Sequence, residues 1–599
     1  MKWPSKLWKK LRKLWLVNLI SALPVAVAGL VILLASLPQT QWARSNTEAY
    51  SSFGYLFLIL IFFLGLLAPA FARQVLRSGG LKPWFYLVGL LASYFFFFSG
   101  SYFYSDDSIR HELDGHYIAR GLPLYCLGPQ QLGLQEAAPA GIGDSASTLW
   151  NQKPESLPNH SHLSTIYLPG TQLISYLGAL GPGYRILFSA SSWIMMAILL
   201  IASFRQRLSH GNAVFESASS VQLAGVSSRP QVISAELLLT LFSHPFWMIL
   251  FYSGHSDVTA FLLCLLALRF IPGNLWSRLL AGIFWSLACS MKPEAILGGI
   301  TLLWAFTSVH PSGRNQQSII FKSRFIAALR AIAPVLAGCL LVLALMIPFI
   351  LFDLFHLSDL HELRHFSTSE GSSLEFECFF YTARIYSNHF LSYRPDAVWL
   401  SSVEGLSSFE SIRLVRMITL PAWAVLILGL WPGLSSNAAS ARVSQPGGDS
   451  HNSENNQGQE ISEFRQQKWA LWSLRLFLYF LLGYFLYRGS WQPWYFLWFL
   501  LAPGLWLQKR PFQNQSPEAT EKSAKVDTGT TKNGFLWLSF FLSLLVLFYL
   551  PVINYRVDGS FHLSFFYCSF LLALTVAIML YFYGSQRKGR RSREPKKDR

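Results

Sequence analysis

Apolar runs of about 20 residues, separated by short polar or turn-forming stretches, follow one another along most of the chain. A run of that length is what a helix needs to cross a bilayer. The basic, aromatic opening MKWPSKLWKKLRKL leads into a first run that ends near Leu37. It is longer than a secretory h-region and reads as an uncleaved first span, although Ala26-Val27-Ala28 has signal-peptide character. Further spans are expected at about 52–71, 82–101, 184–203, 233–252, 257–272, 276–291, 294–309, 328–352, 413–433, 468–487, 493–507, 534–551 and 561–583. The expected fold is an all-α polytopic membrane protein, a bundle of about 14 helices with two long outer loops.

Composition agrees with this pattern, and charge orients it. Hydrophobic residues make up 52% of the 599 positions and charged residues 13%, against a net charge of +17. A positive balance could indicate nucleic acid, but Lys and Arg gather at span ends and in short loops instead of on one face, which excludes that partner. With a cytoplasmic N-terminus, alternation of the spans puts five basic groups on the cytoplasmic side. These are Arg73/Arg77/Lys82, Arg205/Arg207, Arg314/Lys322/Arg324, Lys509/Arg510/Lys522/Lys525 and the tail from Arg587 to Arg599. That is the positive-inside arrangement, with both termini inside an inner (plasma) membrane protein.

The chain then divides into N-terminal membrane helices (1–101), a first outer loop (102–183), a central bundle (184–352), a second outer loop (353–412), a C-terminal bundle (413–583) and a basic tail (584–599). Ser435–Gln467 and Gln508–Asn533 have the composition of mobile cytoplasmic linkers. No long internal repeat of the kind found in many transporters is visible. Cys264, Cys289, Cys339 and Cys568 lie in apolar runs and read as small hydrophobes, while Cys126 and Cys378 fall in the outer loops. Pairing of those two is one option, which sequence cannot settle without a Cα separation, and no cysteine has zinc spacing.

Four polar clusters at span boundaries fall on the predicted outer side. The first, Tyr102 to Tyr125, carries Asp106 and Asp107 just beyond a span, where charge is costly and usually functional. A helix from Asp107 would put Asp107, Arg110 and Asp114 on one face. Ser105 and Asp106 are also good helix caps, which is the plainer account. In the functional one, Asp106 or Asp107 takes a proton from an acceptor hydroxyl. The other orients that hydroxyl or holds a divalent cation such as Mg or Mn, with Arg110 and Asp114 organising the pair. The second cluster is Ser253-Gly254-His255-Ser256-Asp257, where His255 and Asp257 either pair with each other or contact a sugar or lipid head. The third is Met291-Lys292-Pro293-Glu294. Lys292 would contact phosphate, or else snorkel to the interface, with Glu294 as its counter-ion. In the fourth, Arg488 would contact phosphate and Gln492, Trp494 and Tyr495 the sugar or lipid head, against the plainer account of an aromatic belt. Tyr167, in Thr165–Gly170, would shape the rim of the same site. His361-Glu362-Leu363-Arg364-His365 matches a zinc motif in letters only and has no identified third ligand.

In order, SDDSIRHELDGHYIARGLPLY, STIYLPG, SGHSD, MKPE and QPWYFLW resemble the bacterial polyprenol-phosphate-sugar-dependent glycosyltransferases of the GT-C superfamily. The likeness is to the mannosyltransferase-like branch, with its DD-x-x-R-x-x-x-DG and PWYLLW elements. Two spans here precede the one leading to Asp106, where many GT-C proteins have one, and the family's aromatic-Asp-Gly is Leu113-Asp114-Gly115. The resemblance implies a GT-C-like transmembrane bundle with an extracytoplasmic site and an aspartate base in the first outer loop. The donor would be a polyprenyl-phosphate sugar, mannose among the options, and the acceptor a lipid, glycan or protein. A single displacement at the anomeric carbon would invert its configuration. The competing expectations are a lipid-linked oligosaccharide flippase or other transporter, and an O-antigen-type polymerase or ligase.

Overall fold

The computed structural model describes residues 20–33, 47–78, 81–98, 107–121, 167–216, 233–302, 332–348 and 538–546, with single residues or short pieces at 18, 125, 165, within 410–421 and within 497–501. The chain separates into two compact units. One comprises Met1–Thr382, Gly447–Leu481 and Pro493–Ile553, and the other Ala383–Pro446, Leu482–Gln492 and Asn554–Arg599. All the described residues except the pieces within 410–421 belong to the first unit. The spans expected at 413–433, 468–487, 493–507 and 561–583 lie wholly or mostly outside the described residues, as do the second outer loop, both linkers, Cys126 and Cys378.

The described residues are helical, with no strand. We number the helices α1 (Ile20–Leu33), α2 (Thr47–Gly65), α3 (Ala68–Arg77), α4 (Lys82–Ser93), α5 (Asp107–Ala119), α6 (Pro169–Ala179), α7 (Tyr184–Glu216), α8 (Ala235–Phe242), α9 (Pro245–Tyr252), α10 (Ser256–Phe270), α11 (Leu275–Met291) and α12 (Ile332–Pro348). Among the described residues, two segments, Leu56–Arg77 and Tyr184–Arg205, are long and apolar enough to cross a membrane. A third would be α8 with α9, which bend by 62° at their junction. Large apolar side chains such as Leu56, Phe85, Trp276 and Leu340 are exposed, as lipid-facing residues would be.

The breaks have local causes. Pro245 cannot donate a backbone hydrogen bond, so the run expected over 233–252 divides at Ser243–His244. The Nδ1 of His244 accepts from the Phe246 N–H at 3.1 Å, and Nε2 sits 3.1 Å from Ser543 Oγ. The Phe242 carbonyl accepts from the Tyr94 hydroxyl. Polar groups freed by the break are thereby satisfied inside the protein. The span expected over 82–101 tightens after Ser93 into a 3₁₀ turn, Tyr94–Phe97, and the one expected at 294–309 opens with another, Pro293–Leu297. The first outer loop contains a helix the pattern did not reveal, α6, entered through Pro169 at its first turn.

Helices α10 and α11 form an antiparallel hairpin that decides where the site lies. Asn274 caps α11 by accepting from the Ser277 N–H at 3.0 Å, so the chain reverses over 271–274. The start of α10 and the end of α11 therefore share one end of the bundle, and Arg269 and Arg278 the other. Arg73, in the middle of α3, and Glu236, on the first turn of α8, pair at 3.3 Å. Across α11, a Cβ on Gly282 would meet the Val335 carbonyl oxygen at 2.0 Å, and one on Gly338 the Leu279 carbonyl oxygen at 2.3 Å. The backbones of α11 and α12 touch, as small-residue crossings allow in membranes.

Candidate functional site

Helix α5 begins at Asp107, and its buried side carries the first half of the site. Arg110 Nε donates to Asp114 Oδ1 at 2.9 Å, one turn further on. Asp114 is fully buried and Arg110 is 6% exposed, so the pair interacts in a low-dielectric setting. Gly115 follows because α6 leaves it no room: a Cβ there would lie 2.1 Å from the Ser175 carbonyl oxygen. That approach brings Gln172, on the first turn of α6, to α5. Its Nε2 donates to Asp114 Oδ2 at 3.0 Å and to Thr165 Oγ1 at 2.9 Å. Thr165 Oγ1 also accepts from the Tyr167 N–H at 3.3 Å, and the Tyr167 carbonyl accepts from Tyr125 Oη at 2.9 Å.

The second half is built on the hairpin end. Lys292, just past α11, sets Nζ 2.9 Å from Asp257 Oδ2 on the first turn of α10. Trp498 Nε1 donates to Asp257 Oδ1 at 3.2 Å, bringing a segment about 240 residues away onto the same carboxylate. Glu294 is 2% exposed beside them. Asp257, Lys292 and Glu294 carry a formal charge of −1 when all are ionised. Removing such charges from water is costly, and their pairing and hydrogen bonds offset that cost only while the geometry holds.

The two halves meet at Tyr167. The Lys292 ammonium lies 5.7 Å from the centre of its ring, within cation–π range, and the His111 ring of α5 packs on it at 4.0 Å. Thr171 Oγ1 donates to the Met291 carbonyl at 3.1 Å, tying α6 directly to the end of α11. Tyr184 Oη, at the start of α7, donates to the Gly254 carbonyl at 3.3 Å, and Arg185 Nη2 donates to the Tyr252 carbonyl at 3.0 Å. These contacts fix the turn that delivers Asp257.

Compared with known protein families, characterised proteins and solved structures, the chain matches none. The site has to be read from its own geometry.

Of the sequence-predicted residues, Arg110, Asp114, Tyr167, Asp257 and Lys292 come together in this cluster. His255 is buried at the start of α10, and Asp257 turns to Lys292 and Trp498. Lys292 does not snorkel: it is 8% exposed, its ammonium lies 2.9 Å from Asp257, and Glu294, its expected counter-ion, is buried alongside and interacts electrostatically with both. Asp106, the Asp107 side chain, Arg488, Gln492, Trp494 and Tyr495 lie outside the described residues, as does the His361–His365 motif. Among the described residues no group of three or more His, Cys, Asp or Glu side chains could hold a metal ion. Sequence reasoning missed Gln172, and it gave no individual role to Thr165, His111 and Trp498, which lie within the motifs STIYLPG, SDDSIRHELDGHYIARGLPLY and QPWYFLW. A glutamine one turn into a helix that opens on Pro-Gly, inside a loop full of ionisable residues, was the available signal for the first.

Proposed function

We propose that the protein is an integral membrane glycosyltransferase of GT-C-like architecture that moves a sugar from a polyprenyl-phosphate donor to an extracytoplasmic lipid, glycan or protein acceptor. The observation that carries this reading is the largely buried chain Arg110–Asp114–Gln172–Thr165–Tyr167–Lys292–Asp257–Trp498, in which residues from five separate stretches of sequence meet. Such a network ties α5, the helix that begins at Asp107, to the hairpin end. Carboxylates at a helix N-terminus are favoured in the ionised form that a general base needs.

In the proposed reaction one of these aspartates accepts the proton of the acceptor hydroxyl as its oxygen forms a bond to the anomeric carbon. The bond from that carbon to the phosphate oxygen breaks, and polyprenyl phosphate leaves with the electron pair. The configuration inverts because attack comes from the face opposite the leaving group. Lys292 is the basic group at the hairpin end for stabilising the departing phosphate, and to do so it would exchange Asp257 for the phosphate. Mg or Mn, if required, would be held by whichever of Asp106 and Asp107 does not act as the base.

The test supplies purified protein with synthetic polyprenyl-phosphate sugars and follows released polyprenyl phosphate and the glycosylated acceptor by mass spectrometry, with and without EDTA. Release dependent on intact Asp106 and Asp107 is expected. Translocation of labelled lipid in proteoliposomes by a variant lacking both carboxylates would instead favour a flippase. Consumption of only pyrophosphate-linked chains would favour a polymerase or ligase.

A further inference from the structure

The Gln172 side chain is 1% exposed and uses both N–H bonds of its amide on different elements: the Asp114 carboxylate of α5 and the Thr165 hydroxyl that holds the Tyr167 N–H. Its Oε1 is buried and makes no hydrogen bond. A buried acceptor left so costs about 1–3 kcal/mol, which an apolar side chain of similar size would avoid. Filling space is therefore a poor account of a glutamine here, and bridging is a good one. What it bridges is specific. On one side is the ion pair of the helix that begins at Asp107. On the other is the residue whose ring lies against the Lys292 ammonium.

We propose that Gln172 is a positioning residue that couples the Arg110–Asp114 pair of α5 to the placement of Tyr167 over Lys292. A charge-assisted hydrogen bond to Asp114 fixes the amide, the amide fixes the Thr165 hydroxyl, and that hydroxyl fixes the backbone that carries the Tyr167 ring. The glutamine does not touch the reacting atoms. The coupling stands on geometry alone, whereas its use in sugar transfer rests on the function proposed above.

The test reads Lys292 itself. Full-length protein in detergent is treated with a water-soluble N-hydroxysuccinimide ester, and acylation of each lysine is timed by peptide mass spectrometry. Thr165→Val and Gln172→Leu should each speed labelling of Lys292 by roughly tenfold, the worth of one hydrogen bond of this kind, and leave other lysines unchanged. Gln172→Glu should do the same by setting a second carboxylate against Asp114. Combining it with Asp114→Asn, which restores a donor facing an acceptor, should return the rate toward that of the parent. Because Thr165→Val keeps the bond to Asp114, it remains informative if Gln172→Leu does not fold. Unchanged Lys292 labelling in a folded Thr165→Val protein would overturn the coupling, and so would an acceleration shared by all lysines. Neither outcome depends on turnover, so a failure to transfer sugar would leave this result intact.

Discussion

Asp257 shows how a single buried side chain can organise several segments. It takes an ammonium from Lys292 and an indole N–H from Trp498, and those partners offset its desolvation. Lys292→Met should thus cost about 3–5 kcal/mol in stability, because it leaves Asp257 buried without its cation. Adding Asp257→Asn should recover a large part of that loss. A double-mutant cycle on thermal unfolding in detergent checks this, and strictly additive losses would contradict it. At the same scale, under the proposed function, Asp106→Asn and Asp107→Asn each replace a candidate base with an amide that cannot take a proton. The variant at the true base should lose about 10²–10⁴-fold in transfer rate while unfolding at the parent temperature. Mass-spectrometric timing of polyprenyl phosphate release measures it, and parent-level activity in both variants would reject an aspartate base.

Helices α5 and α6 are held together by the absence of a side chain. Gly115→Ala would drive a Cβ to 2.1 Å from the Ser175 carbonyl oxygen, so the two helices must separate. The expected loss is about 1–3 kcal/mol or more, together with release of Gln172 from Asp114. Gly89 on α4 is the control, since a Cβ there meets nothing within 4 Å. Gly89→Ala should be neutral or slightly stabilising, as alanine is the better helix former. Comparison of the two unfolding midpoints gives the answer, and equal shifts would mean that the crossing is not tight. Periodicity could not have found this contact. An 11-residue helix in a polar loop carries a weak apolar pattern, and the need for glycine arises only from the partner that passes beside it.

For the molecule as a whole, the sequence supplies an orientation that the hairpin makes testable. The end of the bundle holding Asp257 and Lys292 should face outward, and the turn at 271–274 should face the cytoplasm. A cysteine placed at exposed Pro293, in a background without the native cysteines, should react with a membrane-impermeant maleimide added to intact cells. One placed at Pro272 should react only after the membrane is opened. The reverse pattern would invert the topology and remove the extracytoplasmic site with it.

The apolar runs by themselves determined that the described chain is helical, and they marked where many of its helices lie. Burial of backbone polar groups in an apolar setting leaves few alternatives, and a run of suitable length carries that information locally. Given a helix from Asp107, the facing of Arg110 and Asp114 on it also follows from spacing. Tertiary structure decided the partners. It gave Lys292 to Asp257, brought Trp498 to the same carboxylate, and set Gln172 between two clusters. Those outcomes depend on which elements pass within hydrogen-bonding distance of one another, a property of packed helices that no local stretch of sequence contains.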